Sequence, residues 1–374
     1  LAEPLLLVAL SARALAAAAR RAGCRAVALD LFGDVDLAAL VEAHRRVPGS
    51  FADGFEPGPL LAAAEALAPR GSGAGVICGG GLEAQPALIA ALAEGRRLLG
   101  TPAEAVARLK DPFAFAALLG RIGLPHPAVT AGPASDDGWL LKRAGGAGGG
   151  HIRAALPGER AAPGWYLQRR AVGTPVSALL VADGRRGSLL GWSAQWADRD
   201  AAQPFRWAGA VQPAAPAPAV AGAIGAALDA LVAESGLVGL ASLDLLVEGA
   251  SFQVLEVNPR PGATLDVFDG EGPGSLLALH LAACAGVLAP WTPPPTARAM
   301  TVVYADRPRS VPPRLAWPAW TVDRSPDGTR FAAGDPICTV VADASGPAAA
   351  RALALRRAAA ALAMLVSHEE STAA

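Results

Sequence analysis

The segment ASLDLLVEGASFQVLEVNPRPGATLD, residues 241–266, holds the side chains best suited to chemistry. Two alternating runs flank Glu248-Gly249-Ala250-Ser251, a hairpin signal. A three-residue loop, Gly249 to Ser251, would set Asp244 directly opposite Glu256. Side chains alternate across a strand, so Asn258 shares the face of Glu256. Two carboxylates and an amide oxygen then converge on one face, with Leu243, Leu245, Leu255 and Val257 on the other. Hard oxygen donors in that number suit magnesium, or manganese in its place, with water and substrate phosphates completing the shell. An ordinary solvated hairpin would carry the same acids on a polar face. Against that reading, Asn258-Pro259-Arg260 follows the strand at once and adds a cation able to face a phosphate or an oxyanion.

A second candidate is LLKRAGGAGGGHIR, residues 140–153, where a strand ends near Lys142 and five glycines crowd the next eight residues. Glycine backbone approaches phosphates closely and presents its N–H groups to them. No Gly-Lys-Ser/Thr follows, so this is not a Walker A loop, and no helix opens after it as in a dinucleotide fold. Alone it reads equally as a mobile hairpin tip; beside a magnesium hairpin it reads as a phosphate lid. Between the two lies YLQRRAVGTPVSALLVADG, residues 166–184, whose backbone could meet an adenine edge or serve only as a hinge.

Other polar residues rank lower. The five histidines show no metal-ligand spacing, and His151 beside the glycines reads as loop surface. Ser177, Ser193 and Ser242 lack a Ser-His-Asp arrangement. Trp192, Trp196 and Trp207 read as core or pocket wall. Asp266 and Asp269 suit either a substrate amine or helix capping.

The elements that must position these residues begin with alternating strand and helix. Leu5 to Leu10, Val27 to Leu31, Val76 to Cys78 and the Leu98-Leu99 pair read as strands of a parallel α/β sheet. Ser11 reads as a helix N-cap and Gly23 as a helix stop. Thr101-Pro102-Ala103-Glu104 carries a capping box, and Asp111-Pro112 restarts a helix running to Gly120. From Trp139 the pattern turns to strands and hairpins; Gln212 to Ala219 reads as a surface loop and Ala221 to Glu234 as a helix ending before Gly236. After the linker Pro290 to Pro295, strands are expected at Met300 to Tyr304 and Ile337 to Val341, then a helix from Ala348 to Val366.

Bulk properties set the limits. With 374 residues the chain fits two or three packed units, and 52% hydrophobic against 17% charged residues leaves burial in no doubt. The formal charge of −1 gives no footprint for nucleic acid or an anionic membrane. No apolar stretch of about 18 to 20 residues runs without Arg, Glu, Gly or Pro, so no spanning helix is expected. Cys24, Cys78, Cys284 and Cys338 lie far apart without a CxxC pair, which suits a reducing cytoplasm. The opening LAEPLLLVALSARALAAAARRAG lacks a basic n-region and reads as strand and helix; a leader ahead of Leu1 stays open.

The order of these motifs resembles the ATP-grasp superfamily: Lys110 before a helix, Lys142 before a glycine loop, a linker near Gln168, then Asp244 and Glu256-Val257-Asn258-Pro259-Arg260. The resemblance implies an N-terminal parallel α/β (pre-ATP-grasp) domain over residues 1–100. A two-subdomain ATP-grasp core over 101–290 follows, with a small lid subdomain at about 130–172, then a C-terminal domain over 291–374. More narrowly, SARALAAAARRAG, LDLFGDVD, KDPFAF, LLKRAGGAGGGH and LEVNPRPGATLD resemble an ATP-grasp group tied to tetrahydromethanopterin- or methanofuran-type one-carbon cofactors, a tyramine–glutamate ligase among them. The tail GDPICTVVADASG resembles biotin-carboxylase-like proteins.

By this resemblance the chain is a cytoplasmic carboxylate–amine ligase using ATP and magnesium. Lys110 and Lys142 hold phosphates under a lid of Gly145, Gly146, Gly148, Gly149 and Gly150, while Gln168, Arg169, Arg170 and Ala171 meet adenine. Asp244, Glu256 and Asn258 bind the metal, and Lys142, Glu256 and Arg260 act at the reacting phosphate. The Arg169-Arg170 pair departs from the acidic residue often found in that hinge. Small-molecule acid and amine substrates are expected, with no nucleic acid or membrane partner and room for a homodimer. Carboxylation through carboxyphosphate, and nucleotide binding without turnover, are the competing readings.

Overall fold

Leu5–Val8 (β1) is buried at every residue, as a strand covered on both faces must be, and it takes the centre of a parallel sheet. In the computed structural model, residues 3–198, 203–269 and 275–367 are described. The first sheet runs β3-β2-β1-β4-β5, with β2 at Ala26–Asp30, β3 at Ala43–Arg46, β4 at Gly75–Cys78 and β5 at Arg97–Leu98. All its pairings are parallel. The edge strand β3, Ala-His-Arg-Arg, escaped the sequence reading because it has no buried alternation to announce it.

A second, antiparallel sheet is built from Val129–Thr130 (β6), Trp139–Arg143 (β7), Arg153–Ala154 (β8) and Trp165–Arg169 (β9), in the order β8-β7-β9-β6. The glycine run lies between β7 and β8. The third sheet has eight strands: Thr174–Asp183 (β10), Gly187–Ala197 (β11), Trp207–Gln212 (β12), Val238–Glu248 (β13), Ser251–Asn258 (β14), Ala297–Tyr304 (β15), Thr321–Val322 (β16) and Pro336–Ala344 (β17). Their order is β14-β13-β10-β11-β12-β15-β17-β16, so the strands after residue 290 continue the sheet that carries the acidic hairpin. The architecture is thus a parallel α/β sheet followed by antiparallel sheets with helices against them, as expected.

One face of the long sheet packs on helices Pro112–Arg121 and Pro218–Ser235 through Phe115, Leu118, Leu228, Leu231 and Leu243. The other face shares a core with helix Arg13–Arg21 and helix Leu276–Cys284, so the first sheet and the long sheet enclose one continuous apolar body. Helix Pro218–Ser235 is long and apolar enough by length and composition to cross a membrane, though Gly222, Gly225, Asp229 and Glu234 interrupt it. Its face Val220, Ile224, Leu228, Leu231 and Val232 is instead buried in this core. Gly236 closes it in the left-handed conformation, φ 75°.

Two expected caps are not caps. Ser11 Oγ donates to Asp323 Oδ1 at 3.0 Å, and the N-cap position of that helix is Ala12. Thr101 Oγ1 donates to Val238 O and accepts from Val238 N, tying the start of the second unit to β13 instead of capping Ala103–Lys110. Both side chains found a tertiary partner that local sequence does not show. Asp111 does cap: its carboxylate accepts from Phe113 N and Ala114 N, each at 2.9 Å.

That cap separates Ala103–Lys110 from Pro112–Arg121 and fixes the chain reversal at which Lys110 sits. Asp111→Ala is expected to cost about 1 kcal/mol in urea denaturation, with Asp111→Asn close to wild type, because asparagine caps almost equally well.

Candidate active site

Asp244 and Glu256 pair across β13 and β14, but not by the route expected. The turn has two residues, Gly249-Ala250, with Glu248 opposite Ser251. A regular ladder from that turn would place Leu255 opposite Asp244. A β-bulge at Leu255 adds the missing step and brings Glu256 into register. Leu255 accordingly lies half-buried on the cleft wall, while Val254 and Leu245 fill the core position.

The acids face a cleft of about 450 Å³ lined from the sides of these three sheets. Ser177 Oγ donates to Asp244 Oδ1 at 2.6 Å, and Asn258 Nδ2 donates to Asp244 Oδ2 at 2.9 Å. Lys110 Nζ stands between the others, 3.2 Å from Glu256 Oε2 and 2.9 Å from Asn258 Oδ1. Burial and the neighbouring Glu256 charge push Asp244 up to about 6. Burial also acts on Glu256, but Lys110, Lys142 and Arg260 outweigh it and hold Glu256 down at about 2. One carboxylate of the pair thus keeps its charge through its cations while the other gives way.

Lys142, the fourth residue of β7, is buried; its Nζ donates to Gln168 Oε1 at 3.1 Å and lies 5.9 Å from the Tyr166 ring centre. Burial lowers its pKa, and Lys110 adds repulsion. The Gln168 side chain is therefore committed to Lys142. Arg169 pairs with Asp136 and lies over Trp139, and Arg169, Arg170 and Ala171 do not line the cleft. Of the expected adenine contacts, only Gln168 faces it.

The glycine loop closes over the cleft and is wedged in place. Gly145, Gly148 and Gly149 have φ of 69°, 69° and 74°. A Cβ on Gly149 would fall 2.0 Å from Phe205 O, and one on Gly148 would meet the Phe51 ring at 2.9 Å. Trp207 N donates to Gly148 O at 2.8 Å. Among the described residues no acceptor takes the amides of Gly148 and Gly149, which line the cleft as open donors. Gly150 stands outside the lining. His151 lines it, and burial lowers its pKa.

Arg260 enters from beyond β14, held by a residue the sequence reading missed. Its Nε donates to Glu83 Oε1 at 2.6 Å, and Glu83 Oε2 accepts from Gly81 N at 2.6 Å. The Gly79-Gly80-Gly81 turn lies against the guanidinium, a Cβ on Gly80 falling at ordinary contact distance, 3.6 Å, from Arg260 Nε. Burial opposes the Glu83 charge, but Arg260 and Lys110 keep its pKa low. The one available signal was an acid two residues after a glycine run at the end of a strand. Asp266 lines the cleft but is engaged by Arg13, and Asp269 is withdrawn from it, accepting from Arg21 at 2.7 Å and from Leu276 N at 2.9 Å. Asp269 is therefore structural.

Residues 111–264 match the family model of the ATP-grasp domain. No curated protein sequence matches the chain. Among solved structures, the chain is similar to the biotin carboxylase of Campylobacter jejuni in complex with β-γ-ATP, at 14% identity, covering 97% of this chain and 92% of that one, TM-score 0.70. It is also similar to the biotin carboxylase domain dimer of Hydrogenobacter thermophilus 2-oxoglutarate carboxylase, solved with MgADP, ADP and bicarbonate: 13% identity, coverage 96% and 90%, TM-score 0.69. An N5-carboxyaminoimidazole ribonucleotide synthetase in complex with ADP matches at 13% identity, coverage 97% and 96%, TM-score 0.67. The chain has the ATP-grasp fold.

Within this ATP-grasp fold the donor set fits a magnesium ion. Among the described residues no three His, Cys, Asp or Glu side chains form a metal cluster. Two carboxylates and an amide oxygen do share one cleft face, the protein share expected when phosphates and water complete the shell. The Lys110 ammonium already lies against two of those three groups, which marks the spot as favourable to a cation.

Two substitutions probe the ATP-grasp cleft. Gly149→Ala is expected to raise KM for ATP at least tenfold, since its Cβ meets backbone and its φ is left-handed; steady-state kinetics reads it. Asp244→Asn is expected to stabilise the nucleotide-free protein by on the order of 1 kcal/mol at pH 7.5. A folded pKa raised above the unfolded one is a cost that grows as pH climbs from about 4 to 6. The gain should therefore vanish at pH 4 in urea denaturation.

Proposed function

We propose that this chain is an ATP-dependent ligase that joins a carboxylate to an amine through an acyl phosphate. The observation that carries the reading is the gathering of Lys110, Lys142 and Arg260 around one acidic hairpin, beneath a glycine loop with open amides. Lys142, Arg260 and the amides of Gly148 and Gly149 would hold the transferred phosphoryl group and neutralise its charge, which is the main task in phosphoryl transfer. Asp244, Glu256 and Asn258 would hold magnesium, which when bound supplies charge neutralisation across the phosphates.

In the first step a substrate carboxylate oxygen forms a bond to the γ-phosphorus while the bond to ADP breaks. In the second, the amine nitrogen attacks the acyl carbon, phosphate leaves with the C–O electron pair, and the nitrogen loses a proton. The closed glycine loop keeps water from the acyl phosphate between the two steps. Arg260 suits the developing oxyanion, because Glu83 fixes its orientation from the first sheet. The reading keeps the unit boundaries at 100/101 and 290/291. It places the chain in the cytoplasm, with one-carbon cofactor synthesis as its setting and a homodimer compatible with it. Carboxylation with bicarbonate through carboxyphosphate is the rival, favoured by the likeness in fold to the two biotin carboxylases.

The test is ADP release from the purified protein with a panel of carboxylates and amines, and mass spectrometry of the product. Release that requires an amine and yields an amide is expected; release driven by bicarbonate alone would replace the ligase reading. Glu256→Gln is expected to lower turnover about a thousandfold or more through loss of charge at the phosphoryl transition state, with the fold intact by circular dichroism.

A further inference from the structure

At the end of the cleft formed by the first sheet and the strands after residue 290, the charge balance is reversed. Arg13 is the central cation there, and three carboxylates share it. Its Nη1 donates to Asp266 Oδ1 at 2.7 Å, its Nε donates to Asp323 Oδ1 at 3.0 Å, and Asp36 lies 3.9 Å away. The Phe32–Asp36 segment is tied to the far strands: Val35 N donates to Arg324 O at 2.8 Å, and Asp36 accepts from Asp323 N and Arg324 N at 3.1 and 2.9 Å. Those bonds hold Asp323 in the left-handed region, φ 53°, with its carboxylate turned to Ser11 and Arg13.

Asp34 stands apart from this network. It lines the cleft, only 3% of it is exposed, and no hydrogen bond reaches its Oδ2. Behind it Asp30 Oδ2 is also buried without a partner. A carboxyl group with one oxygen buried and without a donor is costly as an anion, so it stays protonated until a cation arrives. The wall beside it is apolar, with Leu15, Phe32, Met300 and Ile337.

We infer that the Asp34 end of the cleft recognises a protonated amine carried on an apolar body. An ammonium supplies the donor that Asp34 Oδ2 lacks and meets carboxylates that outnumber Arg13, whereas a carboxylate ligand would meet the charges of Asp266 and Asp323. Burial, together with Asp323, Asp30 and Asp36 and against the opposing pull of Arg13, pushes Asp34 up to about 9. Cys338, whose thiol faces the same carboxylates, is held protonated. An ammonium docking at neutral pH therefore drives the Asp34 proton into solvent. The inference rests on the ligase reading in making this amine the acceptor substrate; the binding site itself does not.

The experiment is isothermal titration of the full chain at pH 7.5 with benzylammonium chloride and with benzyl alcohol, its uncharged counterpart. The ammonium should bind at least tenfold more tightly, with release of close to one proton per ligand, read from heats in two buffers of different ionisation enthalpy. Asp34→Asn and Asp34→Ser should each abolish the preference and the proton release while leaving affinity for ATP unchanged. Their melting curves report that the variants are folded. Equal binding of the two probes, no binding of the ammonium, or an undiminished preference in a folded variant would overturn the inference. Because no turnover is read, a chain that binds benzylammonium but forms no amide would count against the ligase reading alone.

Discussion

Two carboxylates facing each other across one strand pair cannot both remain ionised in a half-buried cleft without cations, and much of this structure answers that constraint. Lys110 arrives from the end of a helix, Lys142 from β7 and Arg260 from the turn after β14, so three separate elements must dock for the hairpin to be tolerated. Asp244 is relieved differently, by hydroxyl and amide donors from Ser177 and Asn258 and by a pKa near 6. The asymmetry matters: as pH falls Asp244 gives up its charge first, near 6, while Glu256 keeps its charge and stays open to the cleft.

The cations in turn need anchors, and those anchors join the units. Glu83 on the first sheet fixes Arg260, and its own orientation comes from Gly81 N in a turn that only glycines fit so closely. Thr101 ties the start of the second unit to β13. Arg13 binds Asp266 just past the acidic strand and Asp323 on the far side of the cleft. A loss at any of these would loosen the site without touching an acid of the hairpin.

How far the sequence discloses this follows from the range of each interaction. The pairing of Asp244 with Glu256 was legible because alternation and a turn signal are local, and the glycine run, Lys142 and the Asp111 cap were legible for the same reason. The bulge at Leu255 was not: a three-residue loop and a two-residue loop with a bulge place the same acids opposite each other, and only the buried positions of Val254 and Leu245 distinguish them. Ser11 and Thr101 sit where caps belong, yet partners 312 and 137 residues away took their hydroxyls. Glu83, Asp34 and Asp323 are ordinary acids in sequence and acquire meaning only when the first sheet, the long sheet and the strands after residue 290 close around one cleft.

That closure produces a field with direction. One end of the cleft gathers Lys110, Lys142 and Arg260 with Asp244 and Glu256 beneath the glycine loop; the other gathers Asp34, Asp266 and Asp323 about Arg13. In a narrow space with apolar walls such opposed charges act over the whole length, because little water intervenes to screen them. At the first end the cations are matched by Asp244, Glu256 and Glu83, so a phosphate there meets aimed donors; at the second, carboxylates outnumber Arg13 and an ammonium is favoured. The arrangement would sort two partners of opposite charge between the two ends before any specific contact forms. A rigid pocket of one sign could bind either partner but would hold both at the same end. The difference between the two ends follows from construction: the hairpin acids must be matched by cations, while the bonds joining Phe32–Asp36 to Asp323–Arg324 leave the Asp34 and Asp323 side chains on the cleft.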